Sequence, residues 1–241
     1  MNPEIVCENV DFSRHRSGKP VNTVLTDINV RFKSGTLAMI TGETGSGKST
    51  FLSILAGLRR PTGGRVFAGG KPVSQWISRH KDLWRRRVGI VFQDLNLMDH
   101  LSVMENIMLP MICRRMELPE IRRRSRLVMG ELDLDELAGE RTGTISGGQR
   151  QRTALARALI GEPDYLFADE PSAFQDDKSV SRILTLLAGR ADKGAVVVVC
   201  SHDQRLRDAR LFTANYRLAI GRLTMMPPMA GDAGHRPGDK S

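Results

Sequence analysis

The pattern of apolar and polar residues predicts a chain in which strands and helices alternate. Near the start, the two classes alternate over residues 5–10 and 26–32, which is the period of half-buried strands. A short apolar run over residues 37–40 then leads into a glycine-rich loop. Beyond the loop, apolar residues recur at helical spacing at Phe51, Leu52, Leu55 and Leu58. The local order is therefore strand, loop and helix.

A second region, from about residue 94 to 145, has helical patterns rich in Met, Leu and Arg. Ser102 and Glu105 have the spacing of a capping box, just before an apolar segment that ends at Pro110. Pro119, followed by a glutamate, predicts a second helix start. We therefore expect a helical subdomain over residues 94–145, inserted in an α/β core.

The strand and helix alternation resumes after this block. The predicted elements are a helix to about residue 160, a strand over 165–168, a helix near 180–187 and a strand over 196–200. From about Met225 the sequence has no periodicity, so we expect one domain over residues 1–224 and a mobile tail over 225–241.

The formal net charge of +9 and a pI near 10 make nucleic acid or an anionic membrane surface conceivable partners. The basic residues cluster at residues 85–87, 114–115 and 122–124, and aromatic residues, which would stack on bases, are only 5% of the chain. We interpret these clusters mainly as solvated helix faces and do not expect nucleic acid as a partner. The apolar runs are too short to cross a bilayer and no secretory signal is visible, so we expect a cytoplasmic protein.

Three cysteines, Cys7, Cys113 and Cys200, are isolated in the sequence. Their odd number and wide spacing argue against a disulfide framework or a zinc site. We expect all three to be small buried residues.

The loop "GETGSGKST" contains the phosphate-binding pattern G-x-x-x-x-G-K-[ST] between a strand and a helix. Small residues there let several backbone N–H groups converge on an anion at the positive end of a helix. We expect the lysine to reach the β- and γ-phosphates, the serine after it to ligate Mg²⁺, and the final threonine to contact the α-phosphate. The predicted nucleotide-binding residues are Gly42, Glu43, Thr44, Gly45, Ser46, Gly47, Lys48, Ser49 and Thr50.

Two carboxylates, Asp169 and Glu170, follow the buried strand predicted over residues 165–168. Such a strand delivers its last side chains to the sheet edge where the phosphate loop also lies. We expect Asp169 to hold Mg²⁺ and Glu170 to act as general base on the attacking water. His202 and Gln93 each follow another apolar strand. We expect both to contact the γ-phosphate, and Gln93 also to contact the metal.

The segment "ISGGQRQRTALARAL" predicts a second phosphate-binding surface, because Ser146 and two glycines open a helix. A single ATP needs only one such surface. We therefore hypothesise that two copies pack head to tail as an isologous pair, with two ATP molecules between them.

In this order, the phosphate loop, Gln93, "ISGGQ", "YLFADE" and "SHD" resemble the nucleotide-binding subunit of an ABC transporter over residues 4–224. The segment "VFQDLNLMDHLSVMENIMLP" is similar to the subfamily of lipoprotein-releasing, macrolide-exporting and cell-division ATPases. The resemblance implies a P-loop NTPase core with a mixed sheet, an N-terminal antiparallel β part and the inserted helical subdomain. It assigns catalysis to Glu170, His202 and Lys48, and metal binding to Ser49, Gln93 and Asp169.

The resemblance also implies partners. The residues expected to serve the ATP of the second copy are Ser146, Gly147, Gly148, Gln149 and Asp176. A membrane permease is expected to dock near Gln93 and the helical insertion, which would place the protein peripherally on the cytoplasmic face of the inner (plasma) membrane.

Three places depart from the family pattern. Ile145 replaces a leucine, which keeps the apolar character. Gln175 replaces an apolar residue just before the retained Asp176, so we expect the coupling between subunits to differ. For the residue that stacks on adenine, Phe12, Arg14 and His15 are the candidates, and we favour His15 because imidazole stacks on bases.

The favoured prediction is thus an ATP-hydrolysing transporter subunit that powers export or extraction of a hydrophobic or amphipathic substrate. The alternatives are a soluble ABC-type ATPase acting on nucleic acid or ribosomes, an ATPase that transmits force without cargo, and a cassette that pairs without turnover. Intact Lys48 and Glu170 argue against the last of these.

Overall fold

A computed structural model describes residues 2–16, 19–75, 78–114 and 116–227, without the side chains of residues 15, 16, 19–21, 75 and 78–81. These residues form two sheets with helices packed around them. The strands are β1 (Ile5–Arg16), β2 (Lys19–Phe32), β3 (Leu37–Thr41), β4 (Gly63–Ala68), β5 (Lys71–Pro72), β6 (Val88–Val91), β7 (Tyr165–Asp169), β8 (Val196–Cys200), β9 (Ala214–Ala219) and β10 (Arg222–Met226). The helices are α1 (Lys48–Leu55), α2 (Ser78–Arg85), α3 (Val103–Ile112), α4 (Leu118–Glu131), α5 (Gly147–Leu159), α6 (Asp177–Asp192) and α7 (Gln204–Asp208).

The two sheets differ in direction and burial. Strands β2-β1-β4-β5 form an antiparallel sheet, and β10-β9-β3-β8-β7-β6 form a mixed sheet that is parallel except for the β9–β10 hairpin. Strands β7 and β8 are buried along their whole length. Their continuous apolar sequence follows from this, because strands of a parallel sheet are covered on both faces.

Alternate residues of the mixed sheet enter two different cores. Leu166 and Ala168 belong to a cluster shared with α3, α4, α5 and α6, whereas Tyr165 and Phe167 belong to one shared with α1 and the antiparallel sheet. This period-2 division fixes the register of the strands, because a one-residue slip would exchange the two faces. The carboxyl ends of β3, β6, β7 and β8 are thereby held at one edge.

The predicted helical insertion is present, and its first helix begins as expected. Ser102 accepts a hydrogen bond from the backbone N–H of Glu105, and the Glu105 carboxylate accepts one from the Ser102 N–H. The apolar segment that ends at Pro110 lies within α3, which continues to Ile112 with the proline inside it. Pro119 lies in the first turn of α4, as predicted.

Asn106 of α3 ties this helix to the loop before α5. The side chain is fully buried, accepts from the Met98 N–H at 2.8 Å and donates to the Ser102 carbonyl oxygen at 3.0 Å and to Thr142 Oγ1 at 3.2 Å. We expect Asn106→Leu to lower the free energy of unfolding by about 2–4 kcal/mol, because it leaves buried polar groups unpaired. Denaturant unfolding measures this, with exposed Gln204→Leu as control; equal midpoints for the two variants would contradict the assignment.

Some predicted boundaries differ from the structure. The two N-terminal strands are longer than predicted, since they form one long hairpin stabilised by antiparallel pairing. Met225 and Met226, predicted to start the tail, pair with Tyr216 and Asn215 and extend β10. The rest of the predicted tail, residues 228–241, lies outside the described part of the chain.

The prediction that all three cysteines are buried is wrong for Cys113, which is exposed at the end of α3, whereas Cys7 and Cys200 are buried. Burial raises the pKa of the Cys7 thiol to about 12 and also raises that of Cys200. At pH 8 we therefore expect one thiol per native chain to react with an aromatic disulfide reagent, and all three after unfolding. Rapid labelling that persists in a Cys113→Ser variant would contradict this.

Among the residues described, no helix is both long and apolar enough to span a membrane.

Candidate functional site

The phosphate loop connects β3 to α1 at the carboxyl edge of the mixed sheet. Gly45 and Gly47 have φ values of 83° and 106°, a backbone conformation that favours glycine. Gly42 is required for a different reason: a Cβ there would lie 2.3 Å from the Leu218 carbonyl oxygen. These glycines allow the loop to curl tightly in front of α1.

Lys48, the first residue of α1, is held inside this loop. Its ammonium group donates to the carbonyl oxygens of Gly42 at 2.8 Å and Glu43 at 3.0 Å, and the side chain is buried. The buried Ser46 hydroxyl has no hydrogen-bond partner among the described residues. A buried cation, an unpaired hydroxyl and a helix N-terminus together fit a polyphosphate group.

A cleft of about 380 Å³ opens beside the loop. It brings together most of the residues predicted to serve one ATP molecule, and three more from the antiparallel sheet. The lining residues are Thr44, Gly45, Gly47, Lys48, Ser49, Thr50, Gln93, Asp169, Glu170 and His202, with Arg14, Asn22 and Val24.

Asp169, the last residue of β7, is buried at the floor of the cleft. Burial raises its pKa, while a hydrogen bond from the Ser49 hydroxyl and the nearby Lys48 charge act in the opposite direction. Because desolvation disfavours the carboxylate, an additional cation at this position would stabilise it. The carboxylate and hydroxyl oxygens are the ligand types that Mg²⁺ prefers, so the residues present fit this ion.

Glu170, directly after β7, is held by contacts with the last residue of β8 and with the two residues that follow it. It has a φ of 50°, which is uncommon for a glutamate, and its backbone N–H donates to the Cys200 carbonyl oxygen at 2.8 Å. Its carboxylate accepts from the Ser201 hydroxyl at 2.7 Å and lies 2.7 Å from Nδ1 of His202. The side chain is 15% exposed, whereas His202 is 80% exposed, so the histidine is the more accessible of the two.

The second predicted phosphate surface lies at the start of α5 and does not line this cleft. Ser146 and Gln149 form a capping box. Ser146 Oγ accepts from the Gln149 backbone N–H at 3.3 Å, and the Ser146 backbone N–H donates to Gln149 Oε1 at 2.8 Å. The Gln149 amide oxygen is thus engaged in the helix cap. We call Ser146, Gly147, Gly148 and Gln149 the signature surface.

The loop after Glu170 is attached to the signature surface. The Gln175 amide donates to the Gly148 carbonyl oxygen at 2.8 Å and accepts from Arg152 at 3.1 Å. Asp176 caps α6 by accepting from the Ser179 N–H at 2.7 Å. The polar residue that departs from the family pattern is therefore a buried structural link.

Sequence patterns did not identify every residue of the site. The side chain of His15, our candidate for adenine stacking, lies outside the described part of the chain, while Arg14 lines the cleft. Asn22 and Val24 were missed, although the β1–β2 pairing sets Asn22 opposite Arg14. Ser201 was also missed; its place between a buried strand and His202 was the available signal.

These features define a P-loop nucleotide-binding domain with a helical subdomain inserted in its core. The family described as ABC transporter matches residues 25–173, and the chain belongs to that family. It is 35% identical over 190 residues to an uncharacterized ABC transporter ATP-binding protein of Methanocaldococcus jannaschii, covering 78% of this chain and 85% of that one. A similarly described protein of Mycobacterium tuberculosis is 37% identical over 189 residues, which are 78% of this chain but 56% of the relative.

Solved structures show the same fold. The ATP-binding cassette MJ0796, a dimer in a post-hydrolysis state with ADP and Pi, has a TM-score of 0.84 and 31% identity, covering 91% of this chain and 96% of that one. CbiO1 of Clostridium perfringens, part of the ABC transporter complex cbiONQ, has a TM-score of 0.77 and 26% identity over 93% and 88% of the two chains. The protein is thus an ABC transporter ATPase cassette that binds ATP, and the predicted fold class is confirmed.

Proposed function

We propose that the chain works as a pair, in which each phosphate loop is completed by the signature surface of the other copy, and that this pair drives a membrane permease. The observation that carries the proposal is that the two predicted anion-binding surfaces, the phosphate loop and the helix start at Ser146, do not share a cleft in one chain. The dimeric state of the MJ0796 cassette supports the same arrangement.

In this proposal Glu170 acts as general base on water, and its hydrogen bond from Ser201 orients the carboxylate. His202, at 2.7 Å from Glu170, orients the water and contacts the γ-phosphate. Lys48 would leave the two loop carbonyl oxygens to neutralise charge on the β- and γ-phosphates.

Ser49, Asp169 and Gln93 are the proposed residues for Mg²⁺. When bound there, the ion would neutralise charge on the phosphates. The remaining predicted contacts of the loop, from Gly42 to Thr50, are proposed to bind phosphates through the backbone.

The proposed permease site is a groove of about 360 Å³ between β6 and the helical subdomain. Arg157 of α5 is among its lining residues, and its guanidinium donates to the carbonyl oxygens of Leu95 and Asn96. These bonds attach the segment after Gln93 to the helix that begins at the signature surface. A partner seated in the groove would therefore contact both the segment beside one nucleotide site and the helix that carries the signature surface for the other. CbiO1, part of a transporter complex, supports a partner of this kind.

The finer assignment rests on the segment over residues 91–110. We propose a role like that of the lipoprotein-releasing, macrolide-exporting and cell-division group, with export or extraction of a hydrophobic or amphipathic substrate. The chain would act peripherally on the cytoplasmic face of the inner membrane, through its permease.

Pairing is tested by sedimentation of the Glu170→Gln variant with ATP and Mg²⁺. We expect a dimer with ATP and a monomer with ADP or without nucleotide, because the triphosphate joins the two surfaces. A variant that binds ATP yet stays monomeric at high concentration would contradict the proposed pair.

Permease docking is tested by a photo-cross-linking residue in place of Asn96, at the groove, and of exposed Lys193 as control. In native membranes we expect Asn96 alone to yield an adduct with a protein that has several hydrophobic spans. Equal labelling from both positions, or adducts only with nucleic-acid-binding proteins, would contradict it.

A further inference from the structure

Two large apolar side chains, Phe174 and Ile220, are far more exposed than the others. Phe174 is 83% exposed and Ile220 is 97% exposed, the two highest values for large apolar residues in the described part of the chain. Both have left-handed backbone conformations, with φ values of 61° and 50°. This is uncommon outside glycine, and for a bulky or β-branched residue it is a costly conformation.

Phe174 lies against the signature surface. Its ring packs on Gly147, where a Cβ would lie 3.4 Å from the ring. The next residue, Gln175, anchors the loop through Gly148 and Arg152, and its carbonyl oxygen accepts from Arg205 at 2.9 Å. An exposed aromatic side chain on an anchored loop is a preorganised binding element, because little entropy is lost when it is covered.

Ile220 lies beside the phosphate loop, as Phe174 lies beside the signature surface. It lies with Gly221 in the two-residue turn between β9 and β10, where Ala219 pairs with Arg222. A cleft of about 410 Å³ separates this turn from the phosphate loop, lined by Glu43, Thr44, Gly45 and Ser46 on one side and Arg217, Leu218, Ala219 and Ile220 on the other. Leu218 is also the residue whose carbonyl oxygen excludes a side chain at Gly42.

A β-branched residue is poorly suited to this turn. A two-residue hairpin with both φ values positive favours Asn-Gly, and here Ile-Gly has φ values of 50° and 72°. In the single chain, Ile220 makes the turn less favourable and leaves its side chain in water. Such strain points to a role for the side chain outside the single chain.

We propose that Phe174 of one copy seats against Ile220 and the cleft beside the phosphate loop of a second copy. This inference rests on the proposed pairing, which brings the signature surface of one copy to the phosphate loop of the other. Phe174 lies against the former and Ile220 beside the latter, so the pairing puts both residues at the same seam between the two copies. Two-fold symmetry makes the contact twice.

The test measures dimer affinity with ATP in the Glu170→Gln background. We expect Phe174→Ala and Ile220→Asn each to raise the dimer dissociation constant by at least about tenfold, because each removes two buried apolar contacts per dimer. Leu127→Ala on α4, where the side chain is 58% exposed, is the matched control and should leave the constant unchanged.

Two further readouts separate contact from general destabilisation. Ile220→Asn should raise the thermal midpoint of the monomer while weakening the dimer, because asparagine suits the turn. The double variant should weaken the dimer less than the product of the two single effects, as expected for residues in contact. A double variant whose effect equals that product, or single variants that pair like the parent, would overturn the contact. A Glu170→Gln parent that never pairs would instead refute the proposed function itself.

Discussion

Replacing Glu170 by glutamine is expected to reduce ATP turnover by at least about a hundredfold and to leave ATP affinity nearly unchanged. The carboxylate is held by Ser201 and lies 2.7 Å from Nδ1 of His202, so an amide of the same shape retains much of the packing but loses the base. Phosphate binding depends on the loop and on Lys48, which are untouched.

The measurement is phosphate release at saturating ATP, with a separate binding titration of a fluorescent ATP analogue. Glu117→Gln, an exposed glutamate at the start of α4, is the control and should retain full activity. Turnover within a few-fold of wild type in Glu170→Gln would exclude Glu170 as the base. Loss of binding would show instead that the variant had damaged the loop.

Replacing Ser146 by arginine is expected to reduce turnover by a similar factor for a different reason. Ser146 is exposed, so the larger side chain fits the single chain but blocks the approach of a second triphosphate. The lost helix cap alone costs only about 1 kcal/mol of stability. ATP should still bind to each monomer, whereas ATP-dependent pairing should be lost.

Ser102→Arg is a matched control for this variant, because Ser102 caps α3 with the same capping-box chemistry. Both variants should lose similar stability in thermal unfolding, and only Ser146→Arg should lose turnover. If the two variants lose activity equally, the effect of Ser146→Arg comes from helix capping and not from a blocked partner.

The sequence was sufficient wherever local rules and the tertiary fold agree. The phosphate loop, the capping box at Ser102 and the helix start at Ser146 were predicted because glycines, lysine and serine act at fixed spacings near a helix start. The buried strands β7 and β8 were predicted because a parallel strand has apolar residues on both faces. Their ends then placed Asp169, Glu170 and His202 at one edge.

The sequence was insufficient where a role depends on contacts between distant segments. Ser201 donates a hydrogen bond to Glu170, 31 residues away along the chain, and no local sequence feature predicts this contact. From the sequence, Gln175 is only a departure from a family pattern. Its hydrogen bonds to Gly148 and Arg152 show that it links the loop to α5. Cys113 looked like the other cysteines, because the exposure of a helix end depends on how the subdomain packs.

The central claim is that one nucleotide site is built by two copies, and mixing two inactive variants tests it most directly. Lys48→Ala disables the phosphate loop and keeps the signature surface. Ser146→Arg disables the signature surface and keeps the phosphate loop. Equal mixing should restore turnover to as much as about a quarter of wild type, since half of the pairs are mixed and each has one complete site. A mixture no more active than the sum of its two components would contradict the claim.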